Sequence, residues 1–226
     1  MNEVIFEGII KVLFVLLIIS AAMIITRRNV NSLLMTYAVQ SFIIASIAFV
    51  LYLKEGGYVL LSLMLLTLAT KTFLIPFIMK RIFKSIKVGR DVEFRYLSPV
   101  SSIFVSILII MVVYASFSKV FAGLALPSVF FLGIVLGVSL LFMGLLVMFS
   151  RVKAITKIIG YLSMENGVLL FSLFFAELPF IIEVLIVLDL LMIIVLSTIL
   201  AFGISSTMKE FYEKLGFFKV FGEDEK

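Results

Sequence analysis

Apolar runs of about twenty residues recur from one end of this 226-residue chain to the other, and no other feature restricts its fold as much. Wound as an α-helix at 1.5 Å per residue, a run of that length crosses a hydrocarbon core of roughly 30 Å. The runs lack the polar/apolar alternation of a transmembrane β-strand. Helices are then the one spanning structure left that satisfies every backbone N–H and C=O inside lipid. The mean hydropathy of +1.29 is far from that of a soluble domain. The expected fold is an all-α integral membrane protein of about seven transmembrane helices, near residues 5–26, 31–53, 57–79, 99–121, 127–149, 154–176 and 179–204. Gly56-Gly57, Pro99, Pro127 and Pro179 fall between these runs, where helices stop and start.

The distribution of Lys and Arg tests this division independently of hydropathy. In alternate loops, one side collects Arg27, Arg28, Lys80, Arg81, Lys84, Lys87, Arg90, Arg95, Arg151, Lys153, Lys157, Lys209, Lys214, Lys219 and Lys226. The other side holds only Lys54 and Lys119. By the positive-inside rule, the N-terminus is expected outside and the C-terminus in the cytoplasm of a cell membrane. Glu3 and Glu7 precede the first basic residue, Lys11, so the first run lacks the positive region of a cleavable signal and is expected to be retained. In this role the basic residues, and the pI near 9.4, are topology signals. Nucleic acid is not an expected partner.

With seven spans, helices 1–3 and 5–7 run in the same directions, and helix 4 restores the orientation between them. This reads as two parallel three-helix units. The first unit covers 1–80; a basic cytoplasmic loop, 81–98, with room for a short surface helix that meets lipid headgroups or docks a partner, and a connector helix and loop, 99–126, lead to the second unit, 127–204. In the tail, 205–226, Met208, Phe211, Tyr212, Leu215 and Phe218 lie at helical spacing against charged neighbours, which predicts an amphipathic helix at the membrane surface or against a cytoplasmic partner.

Ionisable residues near a bilayer centre cost roughly 2.5–3.5 kcal/mol each to insert, so those retained inside the spans are the strongest functional signal. Lys71 lies deep in the third span, five residues before Pro76, whose missing N–H frees a carbonyl and predicts a kink. Its amine either snorkels toward the basic end at Lys80 or works from the midplane. Glu165 sits mid-span in Gly160-Tyr-Leu-Ser163-Met-Glu165-Asn166-Gly167, and Asp189 almost midway along the last span. Each is either a polar contact between helices or part of an ion path, and their similar depths predict that Glu165, Asp189 and Lys71 share one hydrated polar path near the midplane. Glu183, one turn inside the outer end, is an interfacial anchor or a path residue, and Gln40 gives the second span a polar face able to hold water or bond a neighbour. Glu7 and Lys11 are spaced for a local ion pair. Gly133 and Gly137 form a GxxxG, a weak sign of close helix packing.

The chain has no cysteine and no histidine, so iron–sulfur, haem and the usual zinc sites lack their ligands, and no cofactor is expected. No nucleophile–base arrangement or phosphate loop occurs.

The run from Lys157 to Gly167, followed by a helix carrying Asp189, resembles the membrane subunit called hydrogenase-4 component E, itself similar to subunit K of complex I and to the corresponding small subunit of Mrp-type cation antiporters. The resemblance covers about 127–204 best and 5–80 more loosely, where Arg27-Arg28-Asn29 is similar to the basic turn after the first helix of subunit K. It implies a non-catalytic membrane-arm subunit of an ion-translocating, hydrogenase-type redox complex, with other membrane subunits as partners and Glu165 and Asp189 serving proton or sodium movement. The sequence departs from that pattern in the spacing of Glu165 from Gly160 and in having Lys71 where the first unit would hold an acid. A stand-alone secondary transporter and a purely structural membrane subunit are the competing readings.

Single cysteines introduced at Ser85 and Ser206 are expected to react with a membrane-impermeant thiol reagent only from the cytoplasmic side, and one at Gly56 only from outside. Labelling of Gly56 and Ser85 from the same side would exclude the seven-span topology.

Overall fold

The apolar runs wind into helices in the computed structural model, which describes residues 2–86, 98–123, 126–175, 187–196 and 198. In order, these form α1 (Glu3–Thr26), α2 (Val30–Glu55), α3 (Tyr58–Thr67), a π-helical segment (Leu68–Leu74), α4 (Ile75–Ile86), α5 (Pro99–Val120), α6 (Ser128–Ser150) and α7 (Ala154–Phe174). A further stretch, α8 (Val187–Leu196), lies within the last expected span. Among the described residues all regular structure is helical. Five stretches are long and apolar enough to cross a membrane: α1, α2, the continuous run Tyr58–Lys84, α5 and α6. α7 is 21 residues long, enough to cross by length, with Lys157, Glu165 and Asn166 lowering its hydropathy. Glu183, residues 87–97 and the tail 205–226 lie outside the described residues.

Helix ends fall where local chemistry puts them. The Asn29 side chain accepts from the Asn31 and Ser32 N–H groups and caps α2. Gly56 and Gly57 end α2 with φ of 72° and 96°, a region that side-chain-bearing residues avoid. Ser98 caps α5 through the Ser101 N–H with Pro99 just inside the helix. One boundary differs from expectation. The third span continues past residue 79 to Ile86, so Lys80, Arg81 and Lys84 belong to the final turns of α4 rather than to a loop or a separate surface helix. No glycine or proline follows Pro76 until Gly89, so nothing local stops the helix at 79.

The surface is inverted relative to a water-soluble protein. Val12, Val15, Val39, Phe104, Leu108 and Met111 point outward, while Lys71, Gln40, Glu165, Asn166 and Arg151 are buried. This is the arrangement of a membrane-embedded helical protein, in which the outer shell meets lipid and polar groups collect inside. α2 is the centre: 67% of its apolar stretch is buried, against 17% for α5 at the periphery. It packs on α1, α3, the π segment, α4 and α7. Corresponding helices of the two sequence units meet, with α1 on α6 and α2 on α7. Lys71 of the third helix touches Asp189 of α8.

α6 and α7 form the tightest pair, and glycine makes it possible. A Cβ on Gly137 would approach the Phe171 backbone nitrogen to 2.5 Å, one on Gly144 would strike the Met164 backbone, and one on Gly167 would strike Leu141. Gly137 and Gly144 are seven residues apart, as are Gly160 and Gly167, so each pair lies on one helix face. The close approach therefore extends well beyond the GxxxG at Gly133 and Gly137.

Gly144→Ala and Gly167→Ala are each expected to lower stability by about 1–3 kcal/mol, the usual cost of overpacking a filled contact. Gly8→Ala, where nothing lies within 4 Å, is expected to leave stability undiminished. Thermal unfolding of the three variants in one detergent checks this, and equal loss in all three would contradict the packing.

Candidate functional site

The site begins with an irregularity in the backbone. Pro76 cannot donate to the helix, but the chain does not simply kink there. The seven residues upstream widen into a π-helix, and the Ile75 N–H reaches the Thr70 carbonyl, five residues back instead of four. Lys71 lies in the middle of this widened turn, and its side chain is 1% exposed. Snorkelling to Lys80 is thereby excluded.

The Lys71 ammonium meets two carboxylates from distant parts of the chain. Its Nζ lies 3.1 Å from Oε2 of Glu165 on α7 and 3.2 Å from Oδ1 of Asp189 on α8. Glu165 is 1% and Asp189 5% exposed. Both contacts are ion pairs by distance without the alignment of good hydrogen bonds. The Thr70 hydroxyl, which donates to the Leu66 carbonyl, lies 3.5 Å from Oδ2 of Asp189. One ammonium facing two carboxylates leaves a net charge of −1 when all three are ionised, and zero when the cluster holds one further proton.

Beside the triad, α2 and α7 share a buried polar layer. Ser163 and Asn166, three apart on α7, donate to Oε1 of Gln40 at 3.1 and 3.2 Å, and Asn166 also donates to the Ser41 hydroxyl at 2.9 Å. Some capacity is left over: Gln40 Nε2, Asn166 Oδ1, the Tyr37 hydroxyl and the Thr72 hydroxyl have no hydrogen-bond partner among the described residues. Groups of this kind, two or more in one dry layer, are the usual partners of internal water.

Of the residues singled out from the sequence, Lys71, Glu165 and Asp189 converge on one another, and Gln40 joins through Ser163 and Asn166. Glu183 lies outside the described residues. Glu7 and Lys11 form their local pair at 2.7 Å on the exposed end of α1, far from this cluster in sequence. Arg151 lies in the turn between α6 and α7, as expected, but does more than mark a side of the membrane. It is 1% exposed, and its Nη2 donates to the carbonyls of Ile24, Ile25 and Arg27 at 3.0–3.1 Å, capping the end of α1. Burial pushes its guanidinium down to about 10, still cationic at neutral pH. The available signal was α1 itself, which carries no basic residue in its own last turn to meet those carbonyls.

No family of known proteins, no curated protein and no solved structure matches the chain. Among the described residues no group of three or more His, Cys, Asp or Glu side chains is placed to hold a metal ion. The groups that this cluster itself offers are an ammonium, two carboxylates, amides and hydroxyls.

Lys71→Met is expected to destabilise the fold by about 3–5 kcal/mol, because it strands two carboxylates in a buried site. The combination of Lys71→Met with Glu165→Gln and Asp189→Asn is expected to recover most of that loss. Unfolding temperatures of the single and triple variants in detergent test the pairing, and a triple variant no more stable than the single would contradict it.

Proposed function

We propose that this protein is a non-catalytic membrane subunit of an ion-translocating, multisubunit redox complex of the membrane-bound hydrogenase type. In this reading it crosses a cell membrane seven times, with its N-terminus outside and its C-terminus in the cytoplasm. The observation that carries the proposal is the buried Lys71 ammonium held between Glu165 and Asp189. The resemblance of residues 157–167 and the helix after them to hydrogenase-4 component E supplies the class of complex.

The triad is suited to carrying charge because its two protonation states differ in what Lys71 can hold. When one carboxyl is protonated, the ammonium balances the other. When both are ionised, the ammonium is shared, and one negative charge is left in a low-dielectric site. Loading and unloading of a proton then reorganises contacts among the third helix, α7 and α8. The leftover donors and acceptors of Gln40, Asn166, Tyr37 and Thr72 extend this polar region across α2. Moving one charge through the membrane field involves roughly 2.3 kcal/mol per 100 mV, comparable to the differences that such a cluster can supply.

A second reading, a stand-alone secondary transporter, is favoured by the facing of corresponding helices, α1 on α6 and α2 on α7. Extraction from native membranes in mild detergent separates the two. Co-purification with antiporter-like and metal-bearing subunits supports the first, and an isolated monomer that transports a solute in liposomes supports the second.

Glu165→Gln is expected to leave the complex assembled and its redox chemistry partly active while reducing ion pumping, and Asp189→Asn to act alike. The measurement is pumping per turnover in membrane vesicles at equal subunit content. Unchanged pumping in the Glu165→Gln vesicles would remove the basis for this mechanism.

A further inference from the structure

Away from the triad, the face formed by α2, the π segment and α4 is concave. Its main groove encloses about 750 Å³ and is walled by Val39 and Phe42 on one side and by Phe73 and Phe77 on the other. These walls are open, with Phe73 64% and Phe77 66% exposed. A second cavity of about 550 Å³ continues from it, sharing Phe77 and Lys80, and adds Arg81, Lys84 and Asn31. Among the described residues no acidic side chain lines either cavity. Lys80, Arg81 and Lys84 make no ion pair or hydrogen bond among the described residues, and all three are exposed.

We propose that this face is a binding site for one diacyl phospholipid with an anionic headgroup. The shape and the charge each argue for it. From Ala69 to Lys80 the groove runs eleven residues, roughly 16 Å, about half of a hydrocarbon core of roughly 30 Å and hence the depth of one leaflet. Its inner part is apolar and its outer end carries three cations and a side-chain amide, which is the polarity of an acyl chain followed by a phosphate. An apolar transmembrane helix laid in the groove would cover Phe73 and Phe77 but bring nothing to the three clustered cations, which have no counter-charge among the described residues. An anionic lipid satisfies both ends at once. The amphipathic build of α4, which keeps Lys80, Arg81 and Lys84 at the membrane surface while Ile75, Met79 and Ile82 are buried, holds this geometry in place.

The test uses the full chain purified in detergent and titrated with phosphatidylglycerol or with phosphatidylcholine of the same acyl chains, with binding read by native mass spectrometry. Phosphatidylglycerol is expected to bind more tightly. In the combined variant K80Q/R81Q/K84Q its affinity is expected to fall roughly a hundredfold, about fivefold for each cation at the surface. K119Q, on α5, is expected to bind like the unsubstituted chain. A photoreactive residue in place of Phe77 is expected to cross-link phospholipid in native membranes. Equal affinity for the two lipids by the unsubstituted chain overturns the proposal whether or not the triple variant folds. Undiminished binding by a folded triple variant overturns it too, and so does cross-linking of position 77 to a polypeptide.

Discussion

Bringing an ammonium and two carboxylates out of water is costly unless each finds its partner within contact distance, and the architecture of this protein follows from meeting that condition. Lys71, Glu165 and Asp189 arrive on three separate helices, two of which, the π segment and α7, pack on α2, and the cluster closes when α8 brings Asp189 to the ammonium. The close contact of α6 and α7 fixes where Glu165 stands, because the glycines at 137, 144 and 167 let the two backbones meet without intervening side chains. The π-helical turn fixes where Lys71 stands. Polar positions on α2 and α7 that would otherwise be stranded, Gln40, Ser41, Ser163 and Asn166, use one another as partners. The apolar exterior and the polar interior are two sides of one constraint: in lipid, a group that hydrogen-bonds must do so inward.

How much of this could be read from the sequence depended on whether the governing quantity was local. Run length and hydropathy are local, and they located the described helices; so are the turn at Gly56-Gly57 and the proline that opens α5, whereas the caps at Asn29 and Ser98 were not singled out. The insertion cost of an intramembrane charge is also local, which is why Lys71, Glu165 and Asp189 stood out. Depth along a helix could be counted, and it put the three on one polar path near the midplane; rotation about a helix and the choice of neighbour could not, so their direct contact as a triad was not legible. The cap made by Arg151 was not legible for a related reason. A tally of basic residues by side of the membrane takes no account of where a guanidinium reaches, and this one turns back into the protein to close off α1.

Pro76 gives the sharpest contrast between signal and outcome. Its missing N–H announces a disturbance but not its form. The chain absorbs it upstream as one widened stretch from Leu68 to Leu74 instead of a bend at the proline, and the helix runs on to Ile86. A widened turn weakens the regular ladder locally, and it is retained here beside the most highly charged point of the interior.

The distance in sequence between the members of the triad carries a consequence for how the protein is made. Thr70 and Asp189 are 119 residues apart. On a ribosome adding about 5–20 residues per second, the third helix would leave the exit tunnel roughly 6–24 s before the last one does. Until Glu165 and then Asp189 follow, Lys71 has neither of its carboxylates to meet, and the helix must enter the bilayer on the strength of its other residues, at about −0.3 to −0.6 kcal/mol for each central Leu, Ile, Phe or Val. Biogenesis thus passes through a half-built intermediate with a lone cation in the membrane, and the later helices serve to retire that charge as well as to complete the bundle.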